Sequence, residues 1–421
     1  MGTVNPARKA AHASLVSCLA NDKFVNLEIT AILKRTNLEG ADRGLYTALV
    51  YGTVERLLTI DYFISKLSAR PIEDIDLNTL CAIRLGIYQI EFMDKIPNHA
   101  AVDESVNLCT KRSAGFANAI LRSFLRNKPE LPKKEDGLEQ YLSIGYSVPI
   151  PLCALFINDY GEEAEDILAA FFEKKYTAIS VNTLRPDAIK KAQELGAYPS
   201  SFCKNSMLVR SFEGVLEGVE RGDWFVQDEA SALCAEWVGA KAGETVVDTC
   251  AAPGGKSFAL ALSMANSGQI YSFDLHDNKI SLIKKGAEKL GITIINASAR
   301  DAREPMAELI GKADRVVCDA PCSGFGVIGK KPDIKYKDVK ASEGLPRVQK
   351  EVLGGAAKYV KAGGTLVYST CTILKRENED IVNAFLNDNK DFELVEMRTM
   401  LPHRDGTDGF FICKMKRKET V

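Results

Sequence analysis

Between Thr245 and Tyr368, short apolar runs alternate with helical segments, and this rhythm restricts the fold more than any other feature of the chain. The runs are Thr245-Val246-Val247-Asp248, Gln269-Ile270-Tyr271-Ser272-Phe273-Asp274, Thr293-Ile294-Ile295-Asn296, Arg315-Val316-Val317-Cys318-Asp319 and Gly364-Thr365-Leu366-Val367-Tyr368. Strands separated by helices build βαβ units, and βαβ units build a parallel sheet. From about residue 221 onward the expected fold is therefore α/β.

Upstream the pattern differs. Leu45 to Leu67 places Leu45, Leu49, Val50, Val54, Leu57 and Leu58 at helical spacing, with Asp42 as the expected N-cap. Asp76 to Met93 repeats the spacing through Leu80, Ile83, Ile87 and Ile90, and Ile96-Pro97 breaks it. Val102 to Cys109 and Phe116 to Leu125 read as two more helices, so residues 1–132 are expected to form an all-α domain. Leu131-Pro132-Lys133-Lys134-Glu135-Asp136-Gly137 is polar and carries Pro and Gly, which marks it as a hinge. Short strand candidates at Ile179–Leu184, Met207–Arg210 and Trp224–Val226 lie among helical pieces. The expected division is 1–132, a small α/β subdomain and linker over 133–220, and the parallel-sheet domain over 221–421.

Composition excludes several classes. Lys plus Arg is 54 and Asp plus Glu is 56 in 421 residues, a net charge of −2, so a nucleic-acid surface has to be a local patch. The 11 cysteines include no C-x-x-C pair, and only 4 histidines are present, which argues against a zinc module and for no bound metal. An odd cysteine count without a framework fits a reduced, cytoplasmic chain. The amino terminus lacks the apolar core of a signal peptide, and no uncharged apolar run approaches the ~18 residues of a membrane span.

The chemistry-bearing residues sit just past the strands. Asp248-Thr249-Cys250-Ala251-Ala252-Pro253-Gly254-Gly255-Lys256-Ser257 follows one strand and opens a helix, where small residues let a ligand approach backbone N–H groups. Gly255-Lys256-Ser257 matches the end of a Walker A loop, but Cys250 stands where its first glycine belongs, and no G-x-G-x-x-G is present. A plain tight turn is the other reading. Asp274 ends the next strand, where an acid can bind a ribose diol or merely cap a turn. Asp301 has the same two readings. Asp319-Ala320-Pro321-Cys322-Ser323-Gly324 and Tyr368-Ser369-Thr370-Cys371-Thr372 place two cysteines at strand tips. Each alone reads as a small buried residue; together, beside an acid and a ligand loop, they read as reactive thiols.

Cys250 to Lys256, Asp319-Ala320-Pro321-Cys322 and Ser369-Thr370-Cys371 resemble the motifs of the RNA cytosine-C5 methyltransferases that use S-adenosylmethionine. Lys331-Pro332-Asp333-Ile334-Lys335-Tyr336 and Glu377-Asn378 fit that family too. Asp42-Arg43, Leu49-Val50-Tyr51-Gly52, Leu85-Gly86-Ile87-Tyr88-Gln89 and Ile96 to Val102 resemble the NusB-like domain of the bacterial 16S rRNA methyltransferases of the RsmB/Sun/Fmu type. The likeness spans almost the whole chain. It implies a Rossmann-like methyltransferase domain behind an all-α NusB-like one, S-adenosylmethionine as cofactor, and 5-methylcytidine in 16S rRNA as product. It implies that Cys250, Ala251, Ala252, Pro253, Gly254, Gly255 and Lys256 form the cofactor loop. It places Asp274 at the ribose, Asp301 near the adenine, and Asp319 between cofactor and target base. It makes Cys371 the nucleophile and Cys322 the second cysteine, which assists product release. Asn278-Lys279-Ile280, Arg300 and Gly329-Lys330 depart from the family pattern without touching the cysteines or the acids.

Carbon 5 of cytosine is a poor nucleophile, and thiolate addition at carbon 6 makes it enamine-like. Asp319 can support that adduct at the N3/N4 edge, and donating at N3 requires a protonated carboxyl. The target base must also leave its stack. Lys111, Arg112, Arg122, Arg126, Lys128, Lys133 and Lys134 against Asp103, Glu104 and Glu130 give a local excess of 7 − 3 = +4, read either as an RNA-facing surface or as a solvated face. Lys330, Lys331, Lys335 and Lys337 flank the Cys322 loop and are expected to face RNA as well. The same chemistry on tRNA, a non-catalytic assembly factor and an NAD-dependent oxidoreductase are the competing readings. No membrane and no obligate protein partner is implied.

Overall fold

The computed structural model describes residues 4–21, 23–173 and 176–419. Met1-Gly2-Thr3 of the amino-terminal reading lie outside them. The chain divides into two compact units, one of Met1–Ala169 with Ile328–Lys337, the other of Ala170–Val327 with Asp338–Val421.

The first unit is helical. Helix Leu77–Phe92 starts where the Asp76 side chain accepts a hydrogen bond from Thr79 N, and it buries Leu80, Ile83, Leu85 and Ile87 completely or nearly so. Two apolar clusters form around it. One holds Ile60, Phe63, Ile83, Leu121 and Phe124; the other holds Leu15, Tyr46, Leu49, Val50 and Leu85. Each such buried Leu, Ile or Phe stabilises the fold by about 1.5–3 kcal/mol.

Three sequence expectations shift here. The stretch Leu45–Leu67 is two helices, Gly40–Glu55 and Leu57–Leu67, interrupted at Arg56. At the second helix start, Leu58 N donates to Ser147 Oγ at 2.8 Å, so an unsatisfied amide of the new terminus finds a partner. The N-cap is Glu39, and Asp42 lies in the first turn, where a carboxylate still suits the helix dipole. Lys335 does not face RNA. It is fully buried, and its Nζ donates to Glu55 O at 2.7 Å. Burial pushes its ammonium down to about 7. Next to it, Tyr336 Oη donates to Val54 O at 2.8 Å. The expected hinge at 131–137 lies within this unit, as a short turn of helix at Lys134–Asp136.

The second unit contains two sheets. The smaller comprises β1 (Thr177–Val181), β2 (Tyr198–Pro199), β3 (Ser206–Val209) and β4 (Trp224–Val226), in order β2-β3-β1-β4 and antiparallel throughout. The larger comprises β5 (Thr245–Asp248), β6 (Gln269–Asp274), β7 (Ile295–Ala299), β8 (Ala313–Asp319), β9 (Val360–Thr370), β10 (Phe392–Met400) and β11 (Phe410–Arg417). Its order is β10-β11-β9-β8-β5-β6-β7. β5 to β9 run parallel, and β10 and β11 add an antiparallel hairpin beside β9. The chain leaves β5 toward β6 and β7, then returns to β8 on the other side of β5. This reversal opens a crevice at the carboxyl ends of β5 and β8, the usual ligand position in such sheets.

Helices flank the sheet. Asp277–Leu290 buries Ile280, Ile283, Ala287 and Leu290 on one stripe and stops at Gly291. Leu345–Ala357 buries Gln349, Val352, Leu353 and Ala356. Among the described residues no single helix is long and apolar enough to cross a membrane, and no group of His, Cys, Asp and Glu could hold a metal ion. No disulfide joins any of the 11 cysteines.

Candidate active site

Each candidate residue stands at, or a few residues past, the carboxyl end of a parallel strand. Asp248 ends β5, Asp274 ends β6, Asp319 ends β8, and Cys371 follows β9. Asp301 lies two residues beyond β7. Parallel pairing of β8 with β9 puts Asp319 opposite Ser369, which brings the two cysteine loops side by side.

The loop after β5 is tied at both flanks. Thr249 N donates to Val317 O at 3.0 Å, and Ala251 N donates to Phe273 O at 2.7 Å. Ala252 N donates to Asp274 Oδ2 at 3.2 Å. The Asp274 carboxylate thus shapes the loop that the sequence assigned to the cofactor. Its Oδ1 accepts from His276 N at 3.2 Å and lies 3.6 Å from Lys279 Nζ. Gly254 has φ +119° at the N-cap of helix Gly255–Ser263, a conformation only glycine adopts easily, and a Cβ there would meet the Phe258 ring at 2.3 Å. Cys250 is held as a thiol by burial, which raises it well above the ordinary thiol value.

Two pairings were not foreseen. Lys256, expected only as part of the loop, reaches Asp319: Nζ to Oδ2 is 2.7 Å. Ser369 Oγ donates to Asp319 Oδ1 at 2.8 Å. Both carboxylate oxygens therefore accept hydrogen bonds. Asp301 is claimed by Arg303, whose Nε is 2.9 Å from Oδ1 and whose side chain holds the carboxyl below the usual range.

Cys322 Sγ and Cys371 Sγ are 3.3 Å apart. The Cys322 thiol is pushed well up, first by its hydrogen bond with Cys371 and then by burial. Either sulfur can be the donor of this pair. Gly326 N donates to Cys371 O at 3.0 Å, and a Cβ on Gly326 would meet Gly409 O at 2.0 Å and Cys371 O at 2.9 Å. Only glycine allows that approach.

The residues fit S-adenosylmethionine. The cofactor carries a ribose diol, which suits the Asp274 carboxylate, and cationic groups, which suit strand-end acids. Asp248 Oδ1 is a buried acceptor with no hydrogen-bond partner among the described residues.

A NusB family model matches residues 5–126, and a model described as 16S rRNA methyltransferase RsmB/F matches residues 235–416. The probable ribosomal RNA small subunit methyltransferase B of Bacillus subtilis is 36% identical, covering 98% of each chain. The chain belongs to the RsmB/F family. Its counterpart in Synechocystis, also named a probable ribosomal RNA small subunit methyltransferase B, is 30% identical over 98% of this chain and 99% of its own. The crystal structure of PH0851 superposes with a TM-score of 0.82 at 26% identity, over 99% of this chain and all of that one. As a member of the RsmB/F family, the chain is an S-adenosylmethionine-dependent methyltransferase with a NusB-like helical domain and a Rossmann-like catalytic one.

Sequence reasoning missed one polar residue behind the cysteines. Gln349 carried one usable signal: it is a polar residue on the apolar stripe shared with Val352, Leu353 and Ala356. Glu377-Asn378 was visible as a motif, but nothing in the sequence gave it a task.

Proposed function

We propose that the enzyme methylates carbon 5 of a cytidine in 16S rRNA through a covalent bond between Cys371 and carbon 6. The observation that carries this reading is the 3.3 Å contact between Cys322 and Cys371, with Asp319 at the adjoining strand tip. In the covalent reading one thiol adds to the pyrimidine and the other assists its departure, a division of labour that two adjacent thiols allow.

Cys371 Sγ adds to carbon 6 as a thiolate; once carbon 5 is methylated, loss of its proton to a base restores the ring double bond and expels Cys371, whose departing thiolate accepts a hydrogen bond from the Cys322 thiol. Asp319, paired with Lys256, accepts from the exocyclic amino group of the base and holds it in register. Asp274 and the Cys250–Lys256 loop hold the cofactor, with Asp301 toward its adenine end. Bound S-adenosylmethionine supplies an electrophilic methyl group.

The NusB-like helices over 1–132, together with residues of the stretch 133–220, bind the RNA. Lys111, Arg112, Arg122 and Arg126 are exposed there, while Lys128 is paired with Glu91 and Lys134 with Glu165. Phosphate contacts of this kind make affinity fall with salt. The test is bisulfite sequencing of rRNA from cells with and without the gene. One cytosine in 16S rRNA should lose protection when the gene is absent. An unchanged 16S pattern, or a loss only in tRNA, would overturn the assignment.

A further inference from the structure

Glu377 and Asn378 are adjacent in sequence, fully buried, and each is bonded to a different cysteine loop. Glu377 Oε2 accepts from Ser323 N at 2.9 Å, the amide directly after Cys322. The same oxygen accepts from Gln349 Nε2 at 2.8 Å, and that nitrogen also donates to Pro321 O at 3.0 Å. The backbone is therefore held on both sides of Cys322. Asn378 does the same for Cys371. Thr370 Oγ1 donates to Asn378 Oδ1 at 2.6 Å, and Asn378 Nδ2 donates to Thr372 O at 3.0 Å. Tyr368 Oη anchors the dipeptide itself by donating to Glu377 O at 2.8 Å.

We propose that Glu377-Asn378 is a positioning clasp that sets the two cysteines independently, Glu377 fixing Cys322 for release and Asn378 fixing Cys371 for attack. Neither side chain needs to touch the base. A carboxylate and an amide buried this deeply are costly to leave unbonded; Glu377 is held through Oε2 alone, its buried Oε1 having no hydrogen-bond partner among the described residues, so these bonds carry the whole of its grip. All four of their side-chain bonds end on backbone or side-chain atoms next to a cysteine, or on the glutamine that grips the same loop. Reacting atoms tolerate little misplacement: an error of about 1 Å can cost on the order of a hundredfold in rate.

The proposal rests on the covalent reading above, and its test separates the two. The full-length enzyme is mixed with a 16S rRNA fragment and S-adenosylmethionine, then run on a denaturing gel. Single-turnover methyl transfer is measured in parallel. Cys322→Ala, whose release step is impaired, is the reference and should accumulate a denaturant-resistant protein–RNA band. Glu377→Ala should behave like it, with band yield raised several-fold over wild type and the first methyl transfer little changed. Glu377→Gln, which keeps a carbonyl acceptor for Ser323 N, should restore most of the release. Asn378→Ala should do the opposite, slowing the first transfer by on the order of ten- to a hundredfold with no added band. Thr370→Val, which removes only the hydroxyl, should move the same way by less and covers the case in which Asn378→Ala does not fold. If Glu377→Ala and Asn378→Ala give the same profile, each falling only with thermal stability while Cys322→Ala still accumulates the band, the clasp is overturned. If Cys322→Ala shows no band, the covalent reading itself fails, and the clasp with it.

Discussion

Lys256 Nζ lies 2.7 Å from Asp319 Oδ2, so the helix that follows the loop after β5 is ion-paired to the strand end that carries the Asp-Ala-Pro-Cys block. The pair is unequal. The Lys256 side chain is 8% exposed and that of Asp319 32%. Stranding the deeper charge costs more.

Asp319→Asn should therefore destabilise the fold by about 3–5 kcal/mol, because it leaves a buried ammonium unpaired. Lys256→Met should cost less, about 1–3 kcal/mol, since water can reach the remaining carboxylate. Both should abolish methyl transfer. Urea unfolding of the two variants gives the ordering, and a reversed order would mean that the pair is not buried as described.

Asp274→Ala should weaken S-adenosylmethionine by about 1.5–3 kcal/mol, the value of a charge-assisted hydrogen bond. It also removes the acceptor for Ala252 N, so the loop loosens as well. Asp274→Asn keeps that acceptor and should fall between the two. Calorimetry that finds unchanged affinity in both would reduce Asp274 to a turn residue.

The Asp248 carboxyl is pushed up to about 7 from an ordinary 3.8, mainly by burial and against the hydrogen bond from Ser257 Oγ. A carboxyl raised in the fold retains a proton there that the unfolded chain has released. Its contribution to stability is full below about pH 4 and is lost as pH rises through about 7, with a slope of up to ~1.4 kcal/mol per pH unit. Asp248→Asn removes this titration. Its unfolding free energy, compared with wild type from pH 5 to pH 8, should gain on the wild type as pH rises. Parallel profiles would show that Asp248 is ionised at low pH in the fold.

Gly326→Ala places a methyl group within 2.0 Å of Gly409 O, and backbone cannot yield as a side-chain tip can. The expected cost is on the order of 1–3 kcal/mol, with activity lost beyond what unfolding explains, because the Cys322 loop is pushed from Cys371 O. A fully active Gly326→Ala would mean that the loops move together without affecting the chemistry.

The placement of the candidate residues was legible because strand tips can be read from the βαβ alternation. Once βαβ alternation is read, Asp248, Asp274, Asp319 and Cys371 fall at one end of one sheet. Strand edges were less exact. β7 is Ile295–Ala299 rather than Thr293–Asn296, since the parallel ladder begins at Ile270 with Ile295. The β10–β11 hairpin was not foreseen. β10 alternates weakly because it is an edge strand whose middle is largely exposed, whereas the apolar start of β11 at Phe410-Phe411-Ile412-Cys413 was a readable signal. The Lys256–Asp319 pair joins residues far apart in the chain, which only the fold brings into contact. Lys335 read as a surface charge because sequence cannot show that a lysine next to an apolar Ile334 is drawn into a helical core.

The most direct test of the covalent mechanism uses a 16S rRNA fragment containing 5-fluorocytidine, in which fluorine replaces the carbon-5 proton and blocks release after methylation. With S-adenosylmethionine present, wild-type enzyme should form a stable protein–RNA adduct, and mass spectrometry of its peptides should place the RNA on Cys371. Cys371→Ala should form none while still binding the cofactor, and Cys322→Ala should form it as wild type does. An adduct mapped to Cys322 would exchange the two roles, and methylation of unmodified RNA with no adduct on the fluorinated substrate would contradict the covalent mechanism.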